Sequence, residues 1–378
     1  MENFIKNKRD EMIDLLEQLV NTDSNSYDKE GVDKVSSLLQ ERFEEIGMYV
    51  KVHREAETGN HLEIKGTRES EPKILMIAHM DTVFPKGEAE RRPFSVIGDK
   101  AYGPGVNDEK ASHVQILYAM KALKESKSPA INNVHIIFNS DEEIGSTTSK
   151  PLIEEAAAGK EYSLVVECGR PNDGVVTERK GVGHFDMSVK GKSAHSGVEP
   201  QIGVSAIEEL AHKVIRLQQL NDYSQGVSIN VGLIDGGTSV NTVPPDAEAE
   251  IDVRVKNKDQ AMNITKAIHE VADDEFVDGT KTELSGNMGR PPMEKTEESQ
   301  KLFDVVQETG KELGLDIHEV STGGGSDAAF TAAKGVPTID GIGPIGEFSH
   351  SETDEFTDLN SLVDRTILLA KLIERLTK

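Results

Sequence analysis

Several histidine and carboxylate side chains follow closely after short apolar runs of this chain. They are His79 and Asp81 after run 74–78, Asp141, Glu142 and Glu143 after run 136–138, and Glu167 after run 164–166. Imidazole and carboxylate groups are ligands of zinc and other divalent cations in proteins. Carboxylates gathered at a buried strand end are costly unless they are paired or bind a metal. The pattern therefore predicts metal chemistry, with a hydrogen-bonded histidine at a strand end or a solvated acidic turn as the ordinary alternatives.

Two further candidate ligands lie outside these runs. Asp108 is in a glycine-containing turn, residues 103–110, that leads into a helical pattern, and His350 is in a loop flanked by glycine and proline. Asp108 could instead cap the helix, and His350 could be an ordinary loop residue. A pair of zinc ions needs about three protein ligands per metal, together with a shared bridge. If one carboxylate bridges the two metals, five residues supply enough ligands for both. These residues are His79, Asp108, Glu143, Glu167 and His350.

The elements that must position these residues alternate between strand and helix. Strand-like runs lie on either side of a helical pattern at 111–124, and this alternation is typical of an α/β layer with a largely parallel sheet. Ligands gather at the carboxyl ends of the strands in such sheets. From about Lys180 the order changes to strand, helix, strand, strand, helix, strand, which is the ferredoxin-like order. We therefore predict a catalytic domain formed by residues 1–179 and 290–378, with an inserted domain formed by residues 180–289.

Composition argues against several other classes of protein. Acidic residues outnumber basic residues 67 to 42, for a net charge of −25, so most of the surface would repel nucleic acid. No apolar run reaches the roughly 20 residues of a membrane span, and residues 1–20 are predicted to form an amphipathic helix instead of a secretory signal. We expect a cytoplasmic protein with neither a nucleic-acid nor a membrane partner. The single cysteine, Cys168, excludes an internal disulfide framework and a thiolate zinc site.

Taken together, the motifs resemble the M20 family of metallopeptidases, most closely the glutamate carboxypeptidase (carboxypeptidase G2) group. The matching segments, in the order of the family, are HMDTVFPKG from His79, AYGPGVNDEK from Ala101, FNSDEEIGS from Phe138, KGKSAHSG from Lys190, NTVPPDAEAEIDVRV from Asn241, GRPP from Gly289, GGGSDAA from Gly323 and HSETDEF from His350. They cover nearly the whole chain. The resemblance implies a zinc-exopeptidase-like α/β catalytic domain with a mostly parallel central sheet. It also implies that the inserted ferredoxin-like α+β domain serves as a lid and in dimerisation.

The resemblance implies a centre of two zinc ions in each subunit, with Co²⁺ or Mn²⁺ able to replace zinc. Its ligands would be His79 and Glu167 for one zinc, Glu143 and His350 for the other, and Asp108 as the bridge. A cis peptide bond is expected between Asp108 and Glu109. Two neighbours of the ligands, Asn107 and Cys168, depart from the family pattern at places where metal preference or substrate fit could change.

The same resemblance implies catalytic and substrate-binding residues. The catalytic set comprises Glu142 as general base, Asp81 as the partner of His79, and His195, which in dimeric relatives stabilises the oxyanion in the neighbouring subunit. The substrate-binding set comprises Arg290, Asn241 and Gly325. An arginine fork suits a free carboxylate, because it donates two parallel charge-assisted hydrogen bonds. Each of three residues has an ordinary alternative: His195 could be a loop histidine, Arg290 a surface charge, and Asn241 a turn-forming residue.

The predicted function is hydrolysis of the amide bond to a C-terminal amino acid, such as glutamate, in a small peptide or an N-acyl amino acid. We expect a homodimer formed through the inserted domain. Other activities of the same family remain open, namely those of an aminoacylase, a deacetylase, a dipeptidase or a tripeptidase. An alternative from another class is a metal-stabilised binding protein that lacks catalysis. A serine hydrolase is disfavoured, because residues 324–328 lack the second glycine of a nucleophile elbow.

Overall fold

The computed structural model describes residues 1–378 and contains eleven α-helices and sixteen strands. The helices are α1 (Glu2–Asn7), α2 (Arg9–Val20), α3 (Lys29–Glu45), α4 (Glu88–Arg91), α5 (Ala111–Glu125), α6 (Lys150–Ala157), α7 (Ala206–Gln218), α8 (Lys258–Asp273), α9 (Glu297–Glu312), α10 (Ala328–Ala333) and α11 (Leu359–Leu376). The strands are β1 (Tyr49–His53), β2 (His61–Lys65), β3 (Ile74–His79), β4 (Ser95–Ile97), β5 (Lys100–Tyr102), β6 (Val134–Asn139), β7 (Tyr162–Val165), β8 (Gly174–Arg179), β9 (Gly181–Lys190), β10 (Ser228–Gly236), β11 (Asp246–Val255), β12 (Lys281–Arg290), β13 (His318–Thr322), β14 (Thr338–Ile339), β15 (Gly346–Glu347) and β16 (Phe356–Asp358).

The first of two compact units comprises Met1–Glu178, Lys295–Thr322 and Ser326–Lys378. Its central sheet has the strand order β1-β2-β6-β3-β7-β14. Neighbouring strands from β6 to β14 pair in parallel, while β1 with β2 and β2 with β6 pair antiparallel. Every residue of β3 and β6 is buried, as is typical of parallel strands that are covered on both faces. The carboxyl ends of β3, β6 and β7 therefore lie side by side at one edge.

The core of the first unit lies between the central sheet and long helices from the beginning, the middle and the end of the chain. Apolar residues of α2, α3, α5 and α11 belong to one buried cluster with those of the central strands. Helix α5 is almost entirely buried, which fixes the turn that precedes it. A smaller antiparallel sheet with the order β15-β16-β5-β4 lies in the same unit.

The second unit comprises Arg179–Glu294 together with Gly323–Gly325. Its antiparallel sheet has the order β10-β11-β9-β12, and α7 and α8 supply the apolar residues that complete a separate core. Burial alternates along β9 and β11, because only one face of the sheet is covered. The chain order β9-α7-β10-β11-α8-β12 is the ferredoxin-like order that the sequence predicts. The α/β fold class with an inserted α+β unit is therefore confirmed, and no helix has the length and apolar character that crossing a membrane requires.

Candidate metal centre and substrate-binding residues

The edge of the central sheet gathers the ligand candidates of three strands. His79 is the last residue of β3, Glu142 and Glu143 follow β6, and Glu167 follows β7. Strand β3 lies between β6 and β7, and all three run in the same direction. The three segments thus meet at one place because their strands are neighbours, although they are far apart in the sequence.

Asp108 lies at the centre of this group, in the turn before α5. Its Oδ1 atom is 3.0 Å from His79 Nε2, and its Oδ2 atom is 3.4 Å from His350 Nε2. His79 Nε2 is also 3.9 Å from Glu167 Oε1, while His350 Nε2 is 3.2 Å from Glu143 Oε1. The two oxygens of one carboxylate therefore face two different histidines, and each histidine lies beside a second carboxylate. All five residues proposed as ligands from the sequence lie together in the first unit.

The His79 ring is fixed through its other nitrogen. Its Nδ1 atom lies 2.9 Å from the backbone carbonyl of Asp81 and 3.5 Å from the carboxylate of the same residue. That carboxylate accepts hydrogen bonds from the Ser26 hydroxyl at 2.6 Å and from the N–H groups of Glu142 and Glu143, each at 3.1 Å. Asp81 therefore contacts the ring mainly through its carbonyl, and its carboxylate ties the acidic turn after β6 to the end of β3.

Glu109 is a member of the cluster that has no role in the sequence-based prediction. The peptide bond between Asp108 and Glu109 is cis, as the family resemblance implies. The Glu109 carboxylate is buried, accepts a hydrogen bond from the His79 N–H group, and lies with His79 and Glu167 in a group whose ligand atoms are all within 4.8 Å of one another. The only sequence signal for this position was a second acid directly after the predicted bridge.

Burial and mutual repulsion change the ionisation of the carboxylates. Burial raises the pKa of Glu167 and of Glu109 well above the usual range, and the charge of Asp108 adds to both increases. Burial also raises the pKa of Glu143. For Asp108 burial acts in the same direction, but hydrogen bonds with His350 and His79 outweigh it and lower the pKa. Contacts with the Asp108 and Glu143 carboxylates raise the pKa of His350 to about 10. The cluster thus attracts positive charge strongly.

The donor set fits divalent cations. Five carboxylates contact the two histidines, which leaves a large negative excess; they belong to Asp81, Asp108, Glu109, Glu143 and Glu167. Oε2 of Glu109 and Oε1 of Glu143 are buried and have no hydrogen bond of normal geometry. Oxygen and imidazole ligands with this surplus of charge suit zinc and similar metals, which would satisfy such oxygens.

Glu142 is the residue directly before the proposed ligand Glu143. It begins a short helical turn, Glu142–Ile144, and only 9% of its surface is exposed. The negative charge of its carboxylate contributes to the raised pKa values of Glu143 and Glu167. Its carboxylate therefore lies within electrostatic range of two of the proposed ligands.

In the second unit, His195 and Asn241 lie on adjoining loops. His195 pairs with Thr242 in an antiparallel bridge, and the Ser196 N–H group donates to the Asn241 carbonyl at 3.0 Å. The Gly197 N–H group donates to His195 Nδ1 at 3.1 Å, which assigns the proton of the neutral ring to Nε2. Both side chains are exposed. His195 can thus present a hydrogen-bond donor to a ligand.

Arg290 and Gly325 also meet within the second unit. Arg290 ends β12 and is buried, with 8% of its surface exposed. A Cβ atom on Gly325 would lie 3.1 Å from Arg290 Cδ and 3.0 Å from Val182 Cγ2, so this close approach favours glycine. Arg179, which has no role in the sequence-based prediction, donates from Nη1 to the carbonyls of Gly324 and Gly325 at 3.2 and 3.3 Å. Arg179 thereby holds the glycine loop beside Arg290.

Comparison with known proteins places this chain among hydrolases of peptide and acyl-amide bonds. Carboxypeptidase G2 of Pseudomonas sp. (strain RS-16) is 31% identical over 96% of this chain and 88% of its own length. Succinyl-diaminopimelate desuccinylase of Hydrogenovibrio crunogenus is 25% identical over 93% of this chain and 95% of its own length. The fold matches that of a tripeptidase from Staphylococcus aureus, with a TM-score of 0.80, 23% identity, and coverage of 97% of this chain and 98% of that one. Residues 75–375 match the model of peptidase family M20/M25/M40, and the chain belongs to this family.

Proposed function

We propose that this protein is a two-zinc exopeptidase that hydrolyses the amide bond to a C-terminal amino acid, such as glutamate, in small peptides or N-acyl amino acids. The observation that carries the proposal is the position of Asp108, whose two carboxylate oxygens each face a different histidine. A carboxylate in this position would be able to hold both metal ions. Glu167 and His79 would complete one metal site, and Glu143 and His350 the other. The buried Glu109 would stabilise the site beside His79.

Two zinc ions would supply Lewis acidity at the scissile carbonyl and lower the pKa of the attacking water. Glu142 accepts the proton of this water and later returns it to the leaving amine, which is the role of a general acid–base residue. His195 donates a hydrogen bond from Nε2 to the developing oxyanion. Both residues act only in the transition state, so they are expected to affect turnover more than metal binding.

The Arg290 guanidinium binds the free carboxylate of the substrate in this proposal. An internal peptide bond has no carboxylate at that place, so the requirement restricts cleavage to the end of a peptide or to an N-acyl amino acid. Burial strengthens an arginine–carboxylate pair, because water screens the two charges less. Asn241 and the backbone around Gly325 would orient the remainder of the substrate.

A second candidate function uses the same metals and another pocket. One relative is named a desuccinylase, and a protein of the same fold is named a tripeptidase. These names favour an N-deacylase or a tripeptidase as the alternative activity of this chain. The exopeptidase, N-deacylase and tripeptidase reactions all hydrolyse an amide bond. They differ in the substrate groups on the acyl side and on the amine side of that bond.

The test combines metal analysis with a set of matched substrates. The purified protein should contain two zinc ions per chain, and removal of the metal with a chelator should abolish hydrolysis. Substrates that vary only in the C-terminal residue, such as pteroyl-glutamate and other N-acyl amino acids, should be compared with dipeptides, tripeptides and succinylated or acetylated amines. For the preferred substrate, amidation of the terminal carboxylate should lower kcat/KM at least about 100-fold, as expected for the loss of a charge-assisted pair.

The variant Arg290→Lys is the matched control for this panel. It retains the positive charge but loses the bidentate geometry, so discrimination between carboxylate and carboxamide should shrink. A protein without metal, or one that hydrolyses internal bonds as readily as terminal ones, would contradict the proposal. Metal binding without hydrolysis of any carboxylate-bearing amide would favour a binding protein instead.

We further propose that the protein forms a homodimer through the second unit. Strand β10 is an edge strand, and it carries Leu233 and Ile234, each about 60% exposed. Helix α7 carries the exposed residues Ile207 and Ile215, and a groove of about 530 Å³ is lined by residues of α7 and β10. An apolar edge strand beside an apolar groove is a surface that a second copy can cover.

A further inference from the structure

The turn that carries Asp108 depends on a distant segment for its backbone hydrogen bonds. Residues 105–108 immediately precede the buried helix α5, and buried backbone N–H and C=O groups need partners. Their partners therefore determine where this turn, and hence the Asp108 carboxylate, is held.

The partners come from residues 355–357, at the start of β16. The Glu355 carboxylate accepts from the N–H groups of Gly105 at 3.2 Å, Asn107 at 3.0 Å and Asp108 at 3.1 Å. The Thr357 hydroxyl donates to the Val106 carbonyl at 2.9 Å. We call these two side chains, Glu355 and Thr357, the turn clamp.

The turn clamp is rigid for physical reasons. Neither of its side chains has any exposed surface, so no water competes for the four hydrogen bonds. On the other side of the turn, Lys110 Nζ donates to the carbonyls of Thr22 and Pro104 at 2.9 and 3.3 Å. Held on both sides, the turn has little freedom to shift.

Asn107 connects the turn held by the turn clamp to the loop that carries His350. Glu355 follows His350 by five residues, and the Asn107 carboxamide donates to the Ser349 hydroxyl at 2.9 Å. Asn107 thus makes one hydrogen bond to Glu355 through its backbone and another to the neighbour of His350 through its side chain. These contacts join the turn of Asp108 and the loop of His350 into one hydrogen-bonded structure.

We propose that Glu355 and Thr357 are positioning residues that hold Asp108 between His79 and His350, so that one carboxylate can serve both metals. The inference rests on the proposed two-metal function. Neither residue touches substrate in this proposal; both act through the backbone of residues 105–108. Partners behind the direct ligands commonly contribute about 10- to 100-fold to metal affinity.

The chain contains a matched control for a buried carboxylate of purely structural role. Glu209 in the second unit has no exposed surface, accepts from the N–H groups of Phe276 and Val277 at 2.9 and 2.6 Å, and pairs with Lys213 at 2.9 Å. The substitution Glu209→Gln therefore perturbs a similar buried carboxylate in a unit that contains none of the five proposed metal ligands. Its loss of stability calibrates that of Glu355→Gln.

The test compares Glu355→Gln, Thr357→Val and Glu209→Gln with the wild type. Zinc affinity is measured for each by competition with a chromophoric chelator, alongside the melting temperature and the absorption spectrum of the cobalt-substituted protein. We expect Glu355→Gln to weaken the binding of at least one metal by about 10- to 100-fold and to alter the cobalt spectrum. Thr357→Val should have a smaller effect in the same direction, and Glu209→Gln should change only the melting temperature.

The outcomes separate this inference from the function on which it rests. If the wild type binds two metals and both clamp variants bind them with unchanged affinity, the positioning role is wrong and the two-metal function stands. A wild type that binds fewer than two metals contradicts the function itself. Should Glu355→Gln fail to fold, the near-isosteric Thr357→Val decides, and wild-type metal affinity in that variant overturns the proposal.

Discussion

At the scale of single residues, Glu142 and Glu143 are adjacent in the sequence but have different proposed roles, as general base and as metal ligand. Both N–H groups donate to the Asp81 carboxylate, which orients the turn, and the Glu143 carboxylate lies 3.2 Å from His350 Nε2. The charge of Glu142 adds to the raised pKa of Glu167, so its carboxylate lies within electrostatic range of the proposed ligands. In the proposed mechanism, the metal ligand and the general base are thus neighbours in one short turn.

Substitutions of Glu142 and Glu143 are therefore expected to differ in their effects on turnover and on metal content. Glu142→Ala should retain both metals, while kcat falls by about 100- to 10,000-fold, the usual contribution of a general acid–base residue. Glu143→Ala should lose one metal. Metal content and steady-state kinetics measured on the same preparations distinguish the two. Retained turnover in Glu142→Ala would refute its assigned role.

Local sequence patterns indicate candidate ligands most directly at strand ends. His79, Glu143 and Glu167 each follow a recognisable apolar run, and the run itself indicates where the side chain emerges. Glu109 and Glu355 could not be found in this way. Their roles depend on the path of the backbone through the turn before α5 and on a pairing across about 250 positions, neither of which local spacing encodes.

At the scale of elements, the contact between α5 and the central sheet contains an unusual buried histidine. The His113 ring packs edge-on against Phe138 of β6 with centroids 4.8 Å apart. Its ring nitrogens are buried and have no hydrogen bond of normal geometry. Burial, reinforced by the charges of His79 and Lys110, lowers the pKa of His113 from 6.5 to about 3.

The lowered pKa predicts a loss of stability in acid. The unfolded chain binds a proton at His113 below about pH 6.5, whereas the folded protein does not until about pH 3. Between these values each unit of decreasing pH costs about 1.4 kcal/mol of folding free energy. Replacement by leucine removes the proton site, so His113→Leu should unfold less readily than the wild type at pH 5 and show a shallower pH dependence.

Urea unfolding of the metal-free proteins at several pH values measures this difference. The exposed His318 of β13 provides the control, because His318→Leu removes an imidazole that lies outside the core. Equal slopes for His113→Leu and the wild type would show that the buried ring does not drive acid unfolding.

Element prediction succeeded for long periodic segments and failed for very short ones. The six elements of the second unit were predicted in type and order, and each of them is at least nine residues long, which is enough for a local pattern to be recognised. Strands β15 and β16 have two and three residues, too few for any periodicity to be recognised. They exist because β16 pairs with β5 across the sheet, which is a tertiary effect.

At the scale of the whole molecule, the proposed dimer can be tested together with the reach of His195. We expect the wild type to sediment as a dimer. If His195 acts in the site of the neighbouring subunit, co-expression of His195→Ala and Glu142→Ala should restore activity, since each mixed dimer contains one site with both residues intact. Recovery should approach about a quarter of the wild-type rate, because random pairing makes half the dimers mixed and half their sites competent.

Each variant expressed alone provides the baseline for this experiment. If the co-expressed proteins form mixed dimers and their activity does not exceed the sum of the two baselines, His195 acts within its own chain. Sedimentation as a monomer would contradict the dimer itself.

The insertion of the second unit has a consequence for synthesis on the ribosome. The unit formed by 179–294 has its own core, and almost all of its residues emerge consecutively. The first unit needs β14 in its sheet, α11 in its core and His350 beside Asp108, and all of these emerge after the insertion. We therefore expect the nascent chain to fold from the middle outward, and to acquire its full complement of metal only once translation has passed the last helix.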